Sequence, residues 1–295
     1  MKFLVTGSAG LVGRQVVQDL LERHPNVFAC YHDVKPEQGI TTHMDLANME
    51  QITQVVEAVY PDIIIHLGAM TNVDQCETEP SLASKINAKS TSVLSEYALK
   101  HKAFLVYVST DYIFDGESGM KKESDMPNPV GHYGRSKLDG ELAVHNLSSN
   151  GCIVRTSTPY GMHPTKMTFP SFVAENLLAK KEISVITDQY TSPTYVPNLS
   201  RMLIEVSIKK LHGIFHLAGS TRISRYDMAL MTADKLGLDK NLIKPAKMDD
   251  MKWKAKRPRD SSLDVSKATS ILTEKPMSVE KGLDLFTSQM KQKLN

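Results

Sequence analysis

Only three cysteines occur in 295 residues, Cys30, Cys76 and Cys152. They are odd in number, far apart and in no C-x-x-C spacing, so neither a disulfide framework nor a zinc site is expected. A reducing cytoplasm suits them. No apolar run approaches membrane-spanning length, and the short apolar stretch after Lys2 stops at Thr6-Gly7, too soon for a signal-peptide core. The protein is therefore expected to be cytoplasmic, neither exported nor inserted in a membrane. Excess charge is missing too. A formal charge of +2 is too mild for the concentrated basic face that nucleic acid requires, so any anionic partner should be small. Also absent are an H-E-x-x-H pair, a G-x-S-x-G elbow, a G-x-x-x-x-G-K-[ST] loop and any internal repeat. The histidines are scattered, and each defaults to a structural or surface role.

A composition of 41% hydrophobic and 23% charged residues is ordinary for a globular enzyme with one large core and a smaller lobe. Residues 2–6 read as a buried strand, and Leu11, Val12, Val16, Val17, Leu20 and Leu21 recur at helical spacing after the glycines that follow. The alternation continues with a strand at 27–31, a helix at 49–59, a strand at 62–67, a long helix at 82–100 and a strand at 104–109. A helix at 133–147 and a strand at 152–156 close the regular part. This pattern predicts an α/β fold with a doubly wound parallel sheet of the Rossmann type. Residues 1–159 are expected to form the dinucleotide-binding domain, and 160–295 mainly a smaller, interleaved substrate lobe. Within the lobe the pattern predicts helices at 171–181, 199–209, 228–236 and 279–294, with Ser224 at the start of the third. Strands are predicted at 183–187 and 213–218, the latter a candidate to rejoin the main sheet, with a proline-containing loop at 192–197.

Gly7-Ser-Ala-Gly10-Leu11-Val12-Gly13 lies between the first strand and helix, where glycines permit a tight turn and close approach to a pyrophosphate at the helix N-terminus. Asp45-Leu46 follows a third short strand. Asp45 is a candidate for the adenine amino group or, equally, a cap for the helix near Asn48. Gly68 and Ala69 end the next strand and either admit the cofactor or serve helix packing. The second strand ends at Tyr31-His32, where an acid would favour NAD. With Tyr31 in that place and His32 and Lys35 beside it, the reading is NADP(H), with NAD(H) second and Asp33 able to reverse the order if the strand ends later.

Tyr133 and Lys137 stand four apart on one helical face, downstream of Ser109-Thr110-Asp111-Tyr112. Bringing a tyrosine from its ordinary pKa of about 10 to near 7 takes roughly 4 kcal/mol. One positive charge at about 4 Å in an effective dielectric of about 20 supplies that order. Tyr133 is thus a candidate acid, Thr110 a hydrogen-bond donor to a carbonyl oxygen, and Lys137, which together with an oxidised nicotinamide ring would lower Tyr133, the group that also holds the nicotinamide ribose. The bland reading is an exposed pair on an amphipathic helix; the glycine fingerprint argues against it.

With these residues together, the chain resembles the extended short-chain dehydrogenase/reductases, and among them the dTDP-4-dehydrorhamnose reductases. The most specific matches are Thr71-Asn-Val73-Asp74, Ser-Thr-Asp-Tyr-Ile-Phe-Asp-Gly at 109–116, Tyr-Gly-Arg-Ser-Lys-Leu-Asp-Gly-Glu at 133–141, Asp-Gln-Tyr with Ser-Pro-Thr at 188–194, and Arg-Pro-Arg-Asp-Ser-Ser-Leu at 257–263. The resemblance implies that Thr110, Tyr133 and Lys137 are catalytic, that the 4-keto group of dTDP-4-dehydro-L-rhamnose is reduced, and that Thr71, Val73 and Tyr112 line the substrate. It also implies that Asn87 is structural and that Arg257, with Arg259, meets the nucleotide-sugar diphosphate. Trp253 is either core or a stacking surface. No metal is carried over, because Arg14 and Gln15 stand where some members place an acid at a metal-linked dimer; a homodimer stays open. One departure concerns Thr158, where the family usually has tryptophan. It keeps two alternatives in view: a noncatalytic subunit similar to the methionine adenosyltransferase beta subunit, and a reductase or epimerase of another nucleotide sugar.

Overall fold

The computed structural model describes residues 1–294. Its first half alternates as the sequence predicts: β1 (Phe3–Thr6), α1 (Leu11–Leu21), β2 (Val27–Tyr31), β3 (Ile40–His43), α2 (Met49–Val59), β4 (Ile63–His66), α3 (Val73–Thr78), α4 (Pro80–Ser84), α5 (Ser90–His101), β5 (Phe104–Thr110), α6 (His132–His145) and β6 (Gly151–Thr156). The second half holds β7 (Pro159–Tyr160), α7 (Phe169–Leu178), β8 (Ile183–Ile186), β9 (Tyr190–Thr191), β10 (Thr194–Tyr195), α8 (Val196–Ile208), β11 (Gly213–His216), β12 (Ile223–Ser224), α9 (Arg225–Leu236), β13 (Ile243–Ala246), α10 (Ser266–Ile271) and α11 (Val279–Leu294).

Seven parallel strands form one sheet in the order β11-β6-β5-β4-β1-β2-β3. The strand order reverses between β1 and β4, and in such sheets the crevice at the carboxyl ends of the strands is where ligands bind. Both faces are covered, which is why Ile63, Ile64 and Ile65 are all buried rather than alternating with polar residues. Val5, Ile65, Val106 and Val154 pack toward α1 and α8. Leu4, Ile64, Leu105 and Ile153 pack toward α2 and α5. β11 pairs with β6 through Gly213↔Cys152 to His216↔Arg155. The remaining helices α7, α9 and α11 enclose two smaller cores around Val173, Ala229 and Ile243 and around Tyr160, Met228 and Phe286.

The expected single helix at 82–100 is interrupted. α4 passes through a π-helical stretch, Lys85–Lys89, before α5 begins. Asn87 at its centre is clamped to Met70, accepting from its N–H at 2.8 Å and donating to its carbonyl at 3.1 Å. That contact from outside the helix explains the widened turn, which hydrophobic spacing does not register. Helices α7 and α8 begin earlier than expected because Pro170 and Pro197 sit in their first turns, where a missing N–H costs nothing. The strand β13 was hidden within a lysine-rich stretch: Ile243 is buried, whereas Lys244 and Pro245 are exposed. It pairs in parallel with β8.

Candidate active site

The turn after β1 is built so that only glycine fits. Gly7 has φ 64°, and a Cβ there would lie 2.8 Å from the Gly68 backbone. At Gly13 a Cβ would approach the Gly7 carbonyl to 2.2 Å. Thr6 ties this turn to β4 by accepting from the N–H groups of Leu67 (3.1 Å) and Gly68 (2.9 Å). With both acceptor positions used, its own proton goes to His66 Nδ1 at 2.6 Å. His66 then donates from Nε2 to Thr91, 3.2 Å away, and Thr91 to the Asn87 carbonyl at 2.8 Å. Burial brings His66 down to about 3, so it stays neutral and structural. A line of polar groups thus couples the glycine turn to the π-helical stretch.

Two features fit a bound dinucleotide. Helix α1 starts at Gly10 with no side-chain cap and no acid in its first turn, so the N–H groups around Leu11, Val12 and Gly13 suit an anion. The Thr156 hydroxyl, buried without a protein partner, is in register with Thr110 at the carboxyl end of the sheet. Ser8, Arg14, Val34, Lys35, Glu37 and His163 line a pocket beside the turn. β2 ends at Tyr31, where the sequence places it. Asp33 lies beyond that end, exposed, with its carboxylate 3.0 Å from His32 Nδ1. The cap of α2 is Asn48, which accepts from Gln51 N–H at 3.1 Å. Asp45 instead closes its own turn onto Ala47 N–H at 2.7 Å and lies 3.9 Å from His32. Leu46 packs on Gly68, where a Cβ would meet it at 2.6 Å; Ala69 is half-buried beside Gly68.

Thr110 and Tyr133 meet, and Lys137 lies one turn along α6 from Tyr133. Glu77 of α3 accepts the His132 N–H at 3.1 Å and so anchors the start of α6. The half-buried Tyr133 ring packs on the Met70, Cys76 and Ala83 cluster and meets Tyr112 edge-on at 5.8 Å between centroids. Burial pushes Tyr133 well above the usual tyrosine range, opposed by the nearby Thr110 hydroxyl. Lys137 is buried with its ammonium 4.1 Å from the Tyr107 ring centre. Desolvation brings it down to about 7, opposed by Glu141. Among the protein's own groups, desolvation dominates for both residues, favouring the neutral phenol and weakening the ammonium.

Asp111, to which the sequence pattern assigns no role, is the hub of the site. Its buried carboxylate accepts from Thr110 at 3.0 Å, Ser157 at 2.7 Å and Ser261 at 2.6 Å. Burial raises its pKa and the three hydroxyls oppose the rise. Thr71 is exposed and Val73 half-buried on the loop into α3, next to α6. The family resemblance implies that Arg257 and Arg259 meet a substrate diphosphate, yet both are already on carboxylates. Arg257 makes a two-pronged pair with Asp74 at 3.1 and 2.9 Å and lies 4.2 Å over Trp253. Arg259 reaches Asp188 at 2.7 Å and Asp249 at 3.1 Å. Thr158 has φ 42°, a strained backbone for a β-branched residue.

Residues 1–292 match the family described as the RmlD substrate binding domain. The chain belongs to that family. A probable low-salt glycan biosynthesis reductase of Haloferax volcanii is 33% identical over 90% of both chains. The solved dTDP-4-dehydrorhamnose reductase of Bacillus anthracis, in complex with NADP, superposes with a TM-score of 0.83 at 31% identity, covering 98% of this chain and 100% of that one. The beta subunit of methionine adenosyltransferase 2 of Xenopus tropicalis is 29% identical over 91% of this chain and 81% of its own length. Family membership agrees with the motifs, and the differences among these relatives lie in what each does with one fold.

Proposed function

We propose that the protein is an NADPH-dependent reductase of the 4-keto group of a nucleotide-linked deoxysugar, with dTDP-4-dehydro-L-rhamnose its substrate. The observation that carries this reading is the meeting of Thr110 and Tyr133, with Lys137 one turn along α6, at the carboxyl end of a sheet whose first turn is a glycine cradle. The bound nicotinamide supplies the hydride. Tyr133, kept protonated by burial, gives its proton to the keto oxygen as that oxygen gains charge. Thr110 donates to the same oxygen by rotating its hydroxyl away from Asp111, whose carboxylate remains satisfied by Ser157 and Ser261. Lys137 holds the nicotinamide ribose and, when protonated, stabilises the anionic form of Tyr133. Gly7, Gly10 and Gly13 let the pyrophosphate approach α1. Thr71, Val73 and Tyr112 form the sugar-facing wall.

NADP(H) is the cofactor this reading favours, with NAD(H) second. Lys35 and Arg14, the latter paired with Glu37 at 2.9 Å, line the pocket beyond Tyr31 and suit a 2'-phosphate, and an acid is missing at the end of β2. A relative solved with NADP supports the same choice. A clear preference for NADH in Michaelis constants would reverse it. The decisive assay is incubation with NADPH and dTDP-4-dehydro-L-rhamnose, following nicotinamide absorbance and identifying the sugar by mass and NMR. Formation of dTDP-L-rhamnose is expected. NADPH binding without oxidation would favour the second reading, a regulatory subunit, which rests on the methionine adenosyltransferase relative and on Thr158 in place of the aromatic. A stable complex with the synthetase would then be found.

A further inference from the structure

Of the four arginines that the chain carries between residues 222 and 259, three are paired with carboxylates. Arg222 pairs with Asp260 at 2.7 Å, Arg257 with Asp74 and Arg259 with Asp188 and Asp249. Arg225 is different: among the described residues no carboxylate forms an ion pair with it. It is half-buried, with its guanidinium 5.1 Å over the Phe169 ring. Its position is fixed from behind. Its N–H donates to the Gln189 carbonyl at 3.1 Å, and Ser224 caps α9 by accepting from Asp227 N–H at 3.0 Å.

Several features of its surroundings disfavour a cation. It occupies the first position of α9, where the helix dipole is positive. Burial lowers its pKa and the Arg257 guanidinium lowers it further. Asp111 and Tyr112 act on it in the other direction, but the Asp111 oxygens are taken by three hydroxyls. An arginine is held in such a place at a cost that an arriving anion would offset.

We infer that Arg225 is the residue that binds the diphosphate of the nucleotide-sugar substrate. The assignment rests on the reductase reading above and supplies its missing anion contact. Tyr112 packs edge-on against Tyr133 and acts electrostatically on Arg225. A sugar spanning the Tyr112 ring would place its 4-keto carbon at Tyr133 and its anomeric diphosphate toward Arg225, since these two positions lie across one pyranose ring. Arg225 thereby takes the role that the family resemblance implies for Arg257.

The test is calorimetric binding of dTDP and of thymidine to the NADP+-loaded wild type, Arg225→Gln and Arg225→Lys. The wild type is expected to bind dTDP far more tightly than thymidine. Arg225→Gln should weaken dTDP at least about tenfold, the scale of one lost charge-assisted hydrogen bond, while leaving thymidine and NADP+ affinities unchanged. Arg225→Lys, which keeps the charge without the fork, should fall between them and guards against misfolding of the glutamine variant. Equal dTDP affinity in wild type and Arg225→Gln would overturn the inference while leaving the nucleotide-sugar reading intact. A wild type that does not bind dTDP at all would overturn that reading itself.

Discussion

A phenol and an amine one helical turn apart, both desolvated, move in opposite directions, and the site inherits its proton inventory from that. Tyr133 keeps its proton and Lys137 sits at about 7. If Tyr133 is the acid, Tyr133→Phe should leave dinucleotide binding nearly intact and lower turnover by about a hundredfold or more; near-normal turnover in a single-turnover assay would remove it from the chemistry. The lysine makes a separate prediction about stability. Its folded pKa of about 7 lies below the ordinary 10.5, so the cost of burying an ammonium is full below pH 7. That cost disappears as pH rises toward the unfolded value. Lys137→Met should therefore raise the urea midpoint most below pH 7 and progressively less toward pH 10; an increment independent of pH would contradict the depressed pKa. Tyr133 and Lys137 were legible from spacing. Asp111 was not, because its three hydroxyl partners come from positions 110, 157 and 261.

Short elements hold the cleft together through contacts made far along the chain. Asp74, in the first turn of α3, accepts from Lys254 N–H at 3.1 Å, Ala255 N–H at 2.9 Å and both prongs of Arg257. These donors, the Arg257 fork first, hold its carboxyl at about 2. The depressed value means that the stabilisation is complete above the ordinary carboxylate pKa of 3.8 and is lost as pH falls through about 2. Asp74→Asn should flatten the acid limb of the stability profile between those values and speed hydrogen exchange at residues 252–257. An acid limb identical to wild type would show that the strap is held by other contacts. A six-residue helix such as α3 carries too few turns for hydrophobic periodicity to reveal, and prolines at the starts of α7 and α8 read as loop signals although the first turn tolerates them. The π-helical stretch was equally hidden, since Met70 and Asn87 meet only in the folded chain.

At the scale of the whole molecule, the chain does not divide into separate cores at residue 159. β11 completes the sheet beside β6, and Leu199, Met202, Leu203 and Val206 of α8 cover the same core as Val106 and Val154. Burying each such side chain contributes about 1.5–3 kcal/mol, so the four together are comparable to the roughly 5–15 kcal/mol by which a domain is stable. The fragment 1–159 should accordingly lack a cooperative thermal transition by circular dichroism; a sharp transition would show that the first half folds alone. The amino-acid sequence by itself determined the parallel sheet, the glycine turn and the placing of Tyr133 and Lys137 on one helical face, because these follow from local periodicity, from glycine's missing Cβ and from residues one helical turn apart. Only the tertiary structure decided which cations are neutralised: Arg257 and Asp74 are 183 residues apart, and no local pattern states that they pair. The same long-range pairing singles out Arg225, since a charge is known to lack a partner only after every neighbour has been placed.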